Sequence, residues 1–298
     1  MSRDVLALWA PAKINLYLRI TGRRPDGYHT LDTLMQKIDL RDHLVLEATS
    51  GGVSLRCPGS DLPEDDGNLV FRAAELFLAT FGSRCDRPEP GVAITLTKHI
   101  PVAAGLGGGS SDAAATLAGL DALFACHCTA AELAELGLRL GADVPFFLSD
   151  AQAAVATGIG EVLQPTPSLS GYTVLLVNPG FPVSTRWAYQ TFALTKKEEE
   201  SNLTRFEKAS ESSGRLRPEL PHGLDNDLEA VTVGRYPEIG QLKNELLTRG
   251  AVASLMSGSG PTVFGLFADR RVAERCLADM RVRFAHCWLV APLGGAQE

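Results

Sequence analysis

The stretch Pro101-Val102-Ala103-Ala104-Gly105-Leu106-Gly107-Gly108-Gly109-Ser110-Ser111-Asp112 constrains this chain more than any other segment, because it runs straight into Ala113-Ala114-Ala115-Thr116-Leu117. Glycines at 105, 107, 108 and 109 permit positive φ and close approach of the backbone to a ligand, so that consecutive amides converge on one set of oxygens. Ser110 or Ser111 is placed to cap a helix, and the alanines beyond are strong helix formers. The free N–H groups of the first turn direct about half an elementary positive charge back at the loop. The pattern predicts a turn into a helix that holds an anion such as a phosphate. Two familiar nucleotide loops are excluded: no Lys follows the glycines as in GxxxxGK[ST], and Ser stands at 110 where the dinucleotide fingerprint needs Gly.

Composition bounds the setting of this loop. A chain of 298 residues, 45% hydrophobic and 21% charged, has the make-up of a globular protein of two ordinary domains. Its formal net charge of −7 argues against a nucleic-acid partner, since such proteins present a basic face. An anionic small molecule needs only local positive potential, which backbone amides, Lys13, Lys98, Arg23 and Arg24 could supply. The cysteines at 57, 85, 126, 128, 276 and 287 are scattered. Cys126-His127-Cys128 lacks both the two-residue gap and the second ligand pair of a zinc site, so all are read as reduced thiols. The apolar run Val5–Ala12 is short, broken by Pro11 and followed by Lys13, which is neither a signal peptide nor a membrane span; Val252–Ala268 is interrupted by Gly, Ser and Pro. A cytoplasmic protein with no membrane partner is expected.

Alternation over Lys13–Ile20 predicts a strand with Ile14, Leu16, Leu18 and Ile20 on one face and Lys13, Asn15, Tyr17 and Arg19 on the other. Strands are expected at 44–48 and 92–98, and a helix from the cap Asn68 to Phe81, with Gly82 after it. A second helix opens on the capping box Thr129/Glu132 and closes at Gly141. The later half reads as strand 172–177, helix 184–192, helix 237–249, strands 252–256 and 262–267, helix 269–284 and strand 287–291. That order approximates β-α-β-β-α-β, the ferredoxin-like plan. Between Thr195 and Asn226, at about 195–225, a polar insertion is expected from Lys196-Lys197-Glu198-Glu199-Glu200 and the Ser-rich sequence after it.

The Gly-rich loop resembles the phosphate-binding motif of the GHMP small-molecule kinases, the family of galactokinase, homoserine kinase and mevalonate kinase. Two further segments resemble the branch of that family whose substrate is a cytidine-diphosphate-linked polyol: Pro11-Ala12-Lys13-Ile14-Asn15-Leu16 leading to Arg24-Pro25-Asp26-Gly27-Tyr28-His29, and Leu255-Met256-Ser257-Gly258-Ser259-Gly260-Pro261-Thr262. Gly141-Ala142-Asp143-Val144-Pro145-Phe146-Phe147 points the same way. The resemblance implies an α+β fold of two domains: an N-terminal mixed α/β nucleotide-binding domain over 1–160 and a C-terminal ferredoxin-like domain over 161–298. It places the active site in the cleft between them. It implies phosphoryl transfer from ATP, with Mg²⁺, to the polyol's 2-hydroxyl in isoprenoid-precursor synthesis, by a monomer or homodimer. A kinase for mevalonate or homoserine, or a ligand sensor without activity, is the rival reading.

Phosphoryl transfer needs in-line positioning, charge neutralisation and usually a carboxylate near the attacking proton. Asp143 matches that carboxylate, while Asp before Val144-Pro145 is also a good helix cap; both roles can coexist. Lys13 reads by residue type as a solvated strand lysine. The resemblance instead sets it beside the catalytic Asp, where it stabilises the phosphoryl charge. The resemblance further implies that Pro101, Val102, Ala103, Ala104, Gly105, Leu106, Gly107, Gly108, Gly109, Ser110 and Ser111 hold ATP, with Ser110 or Ser111 near Mg²⁺. Asn68 and Lys98, otherwise a cap and a surface lysine, would face the adenine, and Asn15 would bind the polyol. Tyr28 and His29 would stack on and read cytosine, Tyr189 would cover the ring's other face, and Thr185 would touch the diphosphate. Ser257–Pro261 is expected as a hairpin turn packing on the phosphate loop.

Overall fold

The computed structural model describes residues 4–201 and 224–294, without the side chains of 194–201. Two compact units are formed. The first comprises Met1–Lys13, Lys37–Val102 and Gly107–Thr166, the second Ile14–Gln36, Ala103–Leu106 and Pro167–Glu298. The resemblance implied a division at about residue 160. The contacts group the loop segment Ala103–Leu106 and also Ile14–Gln36 with the second unit, the latter because the strands β1 (Val5–Arg23) and β2 (His29–Ser50) each contribute part of their length to both units. Period-two alternation locates a strand and says nothing of which core each half serves.

In the first unit, β3 (Val53–Arg56), β4 (Pro90–Thr97), β5 (Ala153–Gly158) and β6 (Val162–Thr166) join a sheet of order β3-β4-β2-β5-β6, with β1 also paired to β2. The antiparallel register sets Leu44 against Leu96 and Leu46 against Ile94, and all four side chains are buried. Helix α1 (Leu69–Phe81) starts at the Asn68 cap and ends at Gly82, and α3 (Ala130–Leu140) carries the expected capping box and stops at Gly141. Between them lies α2 (Gly108–Phe124), whose Ala113, Leu117, Leu120 and Phe124 are fully buried. Each large apolar side chain so buried contributes about 1.5–3 kcal/mol. The helix N-terminus is thereby held by core packing. The short α4 (Val144–Leu148) packs beside it.

The second unit is a four-stranded antiparallel sheet in the order β10-β7-β9-β8, built from β7 (Thr173–Asn178), β8 (Ala253–Met256), β9 (Val263–Phe267) and β10 (His286–Val290). Helices α5 (Thr185–Ser201), α7 (Pro237–Thr248) and α8 (Arg270–Arg281) occupy the expected places. An additional helix, α6 (Asp227–Arg235), precedes α7. Apolar residues of β7, β9 and the helices, among them Leu175, Val177, Ile239, Leu246, Phe267 and Met280, form its core. The polar run at 196–200 continues α5 instead of beginning an insertion, as suits the helix propensity of Lys and Glu. The rest of the expected insertion, 202–223, lies outside the described residues. Among the described residues no helix is long and apolar enough to cross a membrane.

Candidate active site

The glycines of the loop do different work from that expected of the serines. Gly107, at φ 71°, is itself the N-cap of α2, and the helix bonds begin with the Ser111 amide donating to Gly107 O at 2.9 Å. Ser110 and Ser111 therefore sit inside the first turn and do not cap it. A Cβ at Gly107 would lie 2.9 Å from Phe147 Cζ and 3.1 Å from Lys13 Cγ, so the lysine stem and the Phe147 ring close directly over this backbone. Only glycine fits both the left-handed conformation and the space. Ser111 Oγ is buried and has no hydrogen-bond partner. Ser110 Oγ faces Gly141, two residues before Asp143.

Lys13 is 5% exposed, which corrects its reading as a solvated strand residue: Lys13 through Leu18 are all buried, on both strand faces. Its Nζ lies 3.7 Å from Asp143 Oδ2, whose side chain is 35% exposed. Asp143 occupies the N-cap position of α4 but makes no side-chain cap bond. The carboxylate is therefore turned to the lysine, and the capping alternative falls. A buried cation, a half-open carboxylate and the first turn of α2 meet in the first unit, an arrangement that can neutralise an anion beside a proton acceptor.

The two residues expected against the adenine are engaged otherwise. Asn68 Oδ1 accepts from the Val70 amide at 3.0 Å, and its Nδ2 donates to Pro63 O at 2.9 Å, so the cap role uses both ends of the amide. Lys98 is no surface lysine. It is mostly covered and held between Asp42 and Asp112, with its Nζ 2.7 Å from Asp112 Oδ2 and also bonded to Asp42 Oδ2. Burial opposes its charge, and the two carboxylates more than offset this, so its pKa is raised. Burial, with Asp42 alongside, pushes the Asp112 carboxyl up to about 7 against the pull of Lys98. A Cβ at Gly108 would lie 3.2 Å from Lys98 Nζ, placing this ion cluster under the head of α2. Neither Asp42, inside β2, nor Asp112, near the start of α2, was given a role from the sequence, where a lone polar residue within an element carries no distinguishing signal.

Lys37 was also missed, for the same reason. It is buried, donates from Nζ to Ser149 O at 2.8 Å at the C-terminal end of α4, and lies over the Phe146 ring at 5.1 Å. Burial, opposed by the charge of Asp150, lowers its pKa to about 8. It anchors the short helix that carries Asp143.

In the second unit, residues 103–106 of the loop are fastened by the hairpin between β8 and β9 and by the segment before α5. Ser257 Oγ donates to Gly105 O at 2.9 Å, the Thr262 amide to Ala104 O at 3.4 Å and the Val183 amide to Ala103 O at 3.2 Å. A Cβ at Gly105, φ 77°, would fall 2.0 Å from Ser257 O, so no other residue is admitted. The expected packing of Ser257–Pro261 on the phosphate loop is present for this half. Asn226 holds the hairpin in turn: Nδ2 donates to Met256 O and Gly258 O, both at 2.8 Å, while Oδ1 caps α6. Glu229 accepts from the Met256 amide at 3.1 Å. Asn226-Asp227-Leu228-Glu229 is a readable helix start, a cap followed by an acidic first turn, and would have revealed this helix. Asn15 is buried, and its Nδ2 donates to Thr33 Oγ1 at 2.8 Å, a clamp within the unit.

Tyr28 follows the turn at Gly27 and is 61% exposed. His29 stacks on Tyr189, ring centroids 5.4 Å apart and 28° between planes, too close for a base to enter between them. Tyr189 therefore packs directly against His29. Burial and the Arg23 charge lower the His29 pKa, favouring a neutral ring. Thr185 opens α5 and its Oγ1 lies 3.0 Å from Ser259 Oγ, which ties it to the glycine hairpin.

Two family models match: the GHMP kinases N terminal domain over residues 68–151 and the GHMP kinases C terminal domain over 193–286. The chain is 45% identical to the 4-diphosphocytidyl-2-C-methyl-D-erythritol kinase of Geobacter sulfurreducens over 93% of its length and 95% of the relative's. It is 44% identical to the enzyme of that name from Syntrophus aciditrophicus, covering 91% and 92%. A crystal structure of 4-(cytidine 5'-diphospho)-2C-methyl-D-erythritol kinase superposes with a TM-score of 0.74 at 34% identity, over 96% of this chain and 98% of that one. A mevalonate kinase from L. major, at 14% identity and a TM-score of 0.66 over 98% and 99% of the two chains, shares the fold. The chain belongs to the GHMP kinase family, among its 4-diphosphocytidyl-2-C-methyl-D-erythritol kinases.

Proposed function

We propose that this protein transfers the γ-phosphoryl group of ATP to the 2-hydroxyl of 4-diphosphocytidyl-2-C-methyl-D-erythritol, a step of the methylerythritol phosphate route to isoprenoid precursors. The observation that carries the reading is the Lys13–Asp143 pair, 3.7 Å apart against the Gly107 cap of α2, in a chain 45% identical to an enzyme of that name. Asp143 accepts the proton of the attacking hydroxyl, and Lys13 stabilises the charge on the transferred group. The backbone of Gly105–Ser111 and the first-turn amides of α2 hold the phosphates of ATP. A mevalonate or homoserine kinase shares the fold but gives the element Asp26-Gly27-Tyr28-His29 no ring to bind. A sensor without activity gives the buried lysine and its carboxylate no task.

Mg²⁺ suits the residues present. The buried Ser111 Oγ, without a partner in the first turn of α2, is an oxygen ligand available to a hard cation. Among the described residues no cluster of three or more His, Cys, Asp or Glu could hold a metal, so such an ion would draw most of its ligands from phosphate and water. Bound there it would neutralise phosphate charge. On the substrate side we assign cytosine to the exposed Tyr28 ring, with the His29–Tyr189 pair as the adjoining wall and Thr185 near the diphosphate. We place the enzyme in the cytoplasm, as a monomer or homodimer without a nucleic-acid partner; the net charge of −7 supports the last of these.

An ADP-release assay over a panel of alcohols tests the reading. Turnover of the cytidyl compound alone is expected, and turnover of mevalonate or homoserine in its place would overturn it.

A further inference from the structure

The first unit contains a thiol pair that phosphoryl transfer does not use. Cys85 Sγ and Cys126 Sγ lie 2.9 Å apart across 41 positions of sequence. Cys85 ends the 3-10 turn Gly82–Arg84 that follows α1, and Cys126 follows the left-handed Ala125 that terminates α2. The backbone on either side is already joined, since the Asp86 amide donates to Phe124 O at 3.1 Å. The Cys126 amide bonds back to Asp121 O at 3.2 Å. Both thiols are reduced in the structure, as the sequence reading expected. Their separation exceeds a disulfide's ~2.05 Å by less than an ångström, with both main chains fixed, so closure requires only small side-chain rotations.

We propose that Cys85 and Cys126 form a redox site, oxidised to a disulfide by a small-molecule disulfide of the glutathione class. Cys85 is partly exposed and Cys126 is buried, so the reagent meets Cys85 first. The Cys85 thiolate attacks the reagent's S–S bond, one thiolate leaves, and a mixed disulfide forms on Cys85. Cys126 then loses its proton to solvent and attacks Cys85 Sγ, and the second reagent thiolate leaves. Two cysteine thiols give up two electrons and two protons, and one reagent disulfide becomes two thiols. Burial, followed by the neighbouring Cys85, pushes the Cys126 thiol up, so the second step accelerates as pH rises. Cys128, whose amide bonds to Asp121 Oδ1 at 2.8 Å, is the nearby competitor in sequence. The clasp joins the ends of α1 and α2. It lies at the opposite end of α2 from Gly107, about 25 Å along the helix axis at 1.5 Å per residue, and so acts on stability and not on turnover.

The test treats the full chain with excess glutathione disulfide, blocks remaining thiols and maps tryptic peptides without reduction. The expected product links peptide 85–98 to peptide 99–139 with the loss of two hydrogens. It is retained in Cys128→Ser, absent in Cys85→Ser and Cys126→Ser, reversed by a dithiol, and accompanied by a raised thermal midpoint at unchanged kcat. The wild-type map stands even if a serine variant fails to fold. A persistent glutathione adduct on Cys85, a link lost in Cys128→Ser, or an unchanged or lowered midpoint of the oxidised chain would overturn the proposal.

Discussion

If Lys13 and Asp143 act as one device, removing both should cost scarcely more than removing either. At the observed 3.7 Å, Coulomb's law gives about 4–5 kcal/mol at an effective dielectric of 20 and about 1 kcal/mol at that of water. Lys13 is buried and the Asp143 side chain is 35% exposed, so the working value lies between these limits. Asp143→Asn removes the proton acceptor and should lower kcat by about 10²–10⁴. Lys13→Met removes the charge while keeping an unbranched stem against Gly107, and should lower kcat by about 10²–10³, the loss for one electrostatic donor. Independent losses would multiply to about 10⁴–10⁷. A coupled pair should leave the double variant near the worse single, an interaction of about 3–4 kcal/mol, which falls inside the Coulomb bracket. The assay is ADP release at saturating ATP and cytidyl substrate, with thermal melts to confirm that each variant is folded. Fold-losses that multiply, in folded variants, would refute the shared device and return Asp143 to a role in α4 alone.

Gly107→Val places a β-branched residue at φ 71° with its Cβ against Phe147 and Lys13, a strain of about 1–3 kcal/mol. ATP binding by calorimetry should vanish while a cooperative melt persists, and loss of that melt would make the loop structural instead. Tyr28→Ala should weaken the cytidyl substrate by about 1–3 kcal/mol and leave ATP affinity unchanged. The ring-free 2-C-methyl-D-erythritol 4-phosphate should not distinguish the variant from wild type, and a parallel loss of ATP would mark Tyr28 as packing. Lys37 has its pKa lowered from 10.5 to about 8, so from about pH 8 upward the unfolded chain binds the extra proton. Stability should therefore rise with pH above 8, the cost of the buried charge being constant below it. Urea midpoints of wild type minus Lys37→Met should show that rise, and equal slopes would place the ammonium in water.

Local signals were legible wherever a residue's role depends on its neighbours in sequence. The caps at Asn68 and Thr129 and the stop at Gly141 rest on hydrogen bonds within a few residues, and the strand and helix order of the second unit on the spacing of its apolar residues. The Gly-rich run forced a tight turn into a helix for the same reason, since its conformational freedom is written in composition. Which residue caps α2 was not decided in this way. Gly107 does so because Lys13 and Phe147 close over it, and these come from β1 and α4, far away in the chain. Lys13, Lys37 and Lys98 share one residue type and one surface prior, yet the first two are buried and the Lys98 side chain is only 10% exposed. Their partners, Asp143, Ser149 and the Asp42/Asp112 pair, are supplied by distant segments. The sequence by itself determined the helices, the turns and the chemistry available to the chain. The tertiary structure alone decided which charges meet, because burying a charge is tolerable only where packing brings its counter-group within hydrogen-bonding or ion-pair reach.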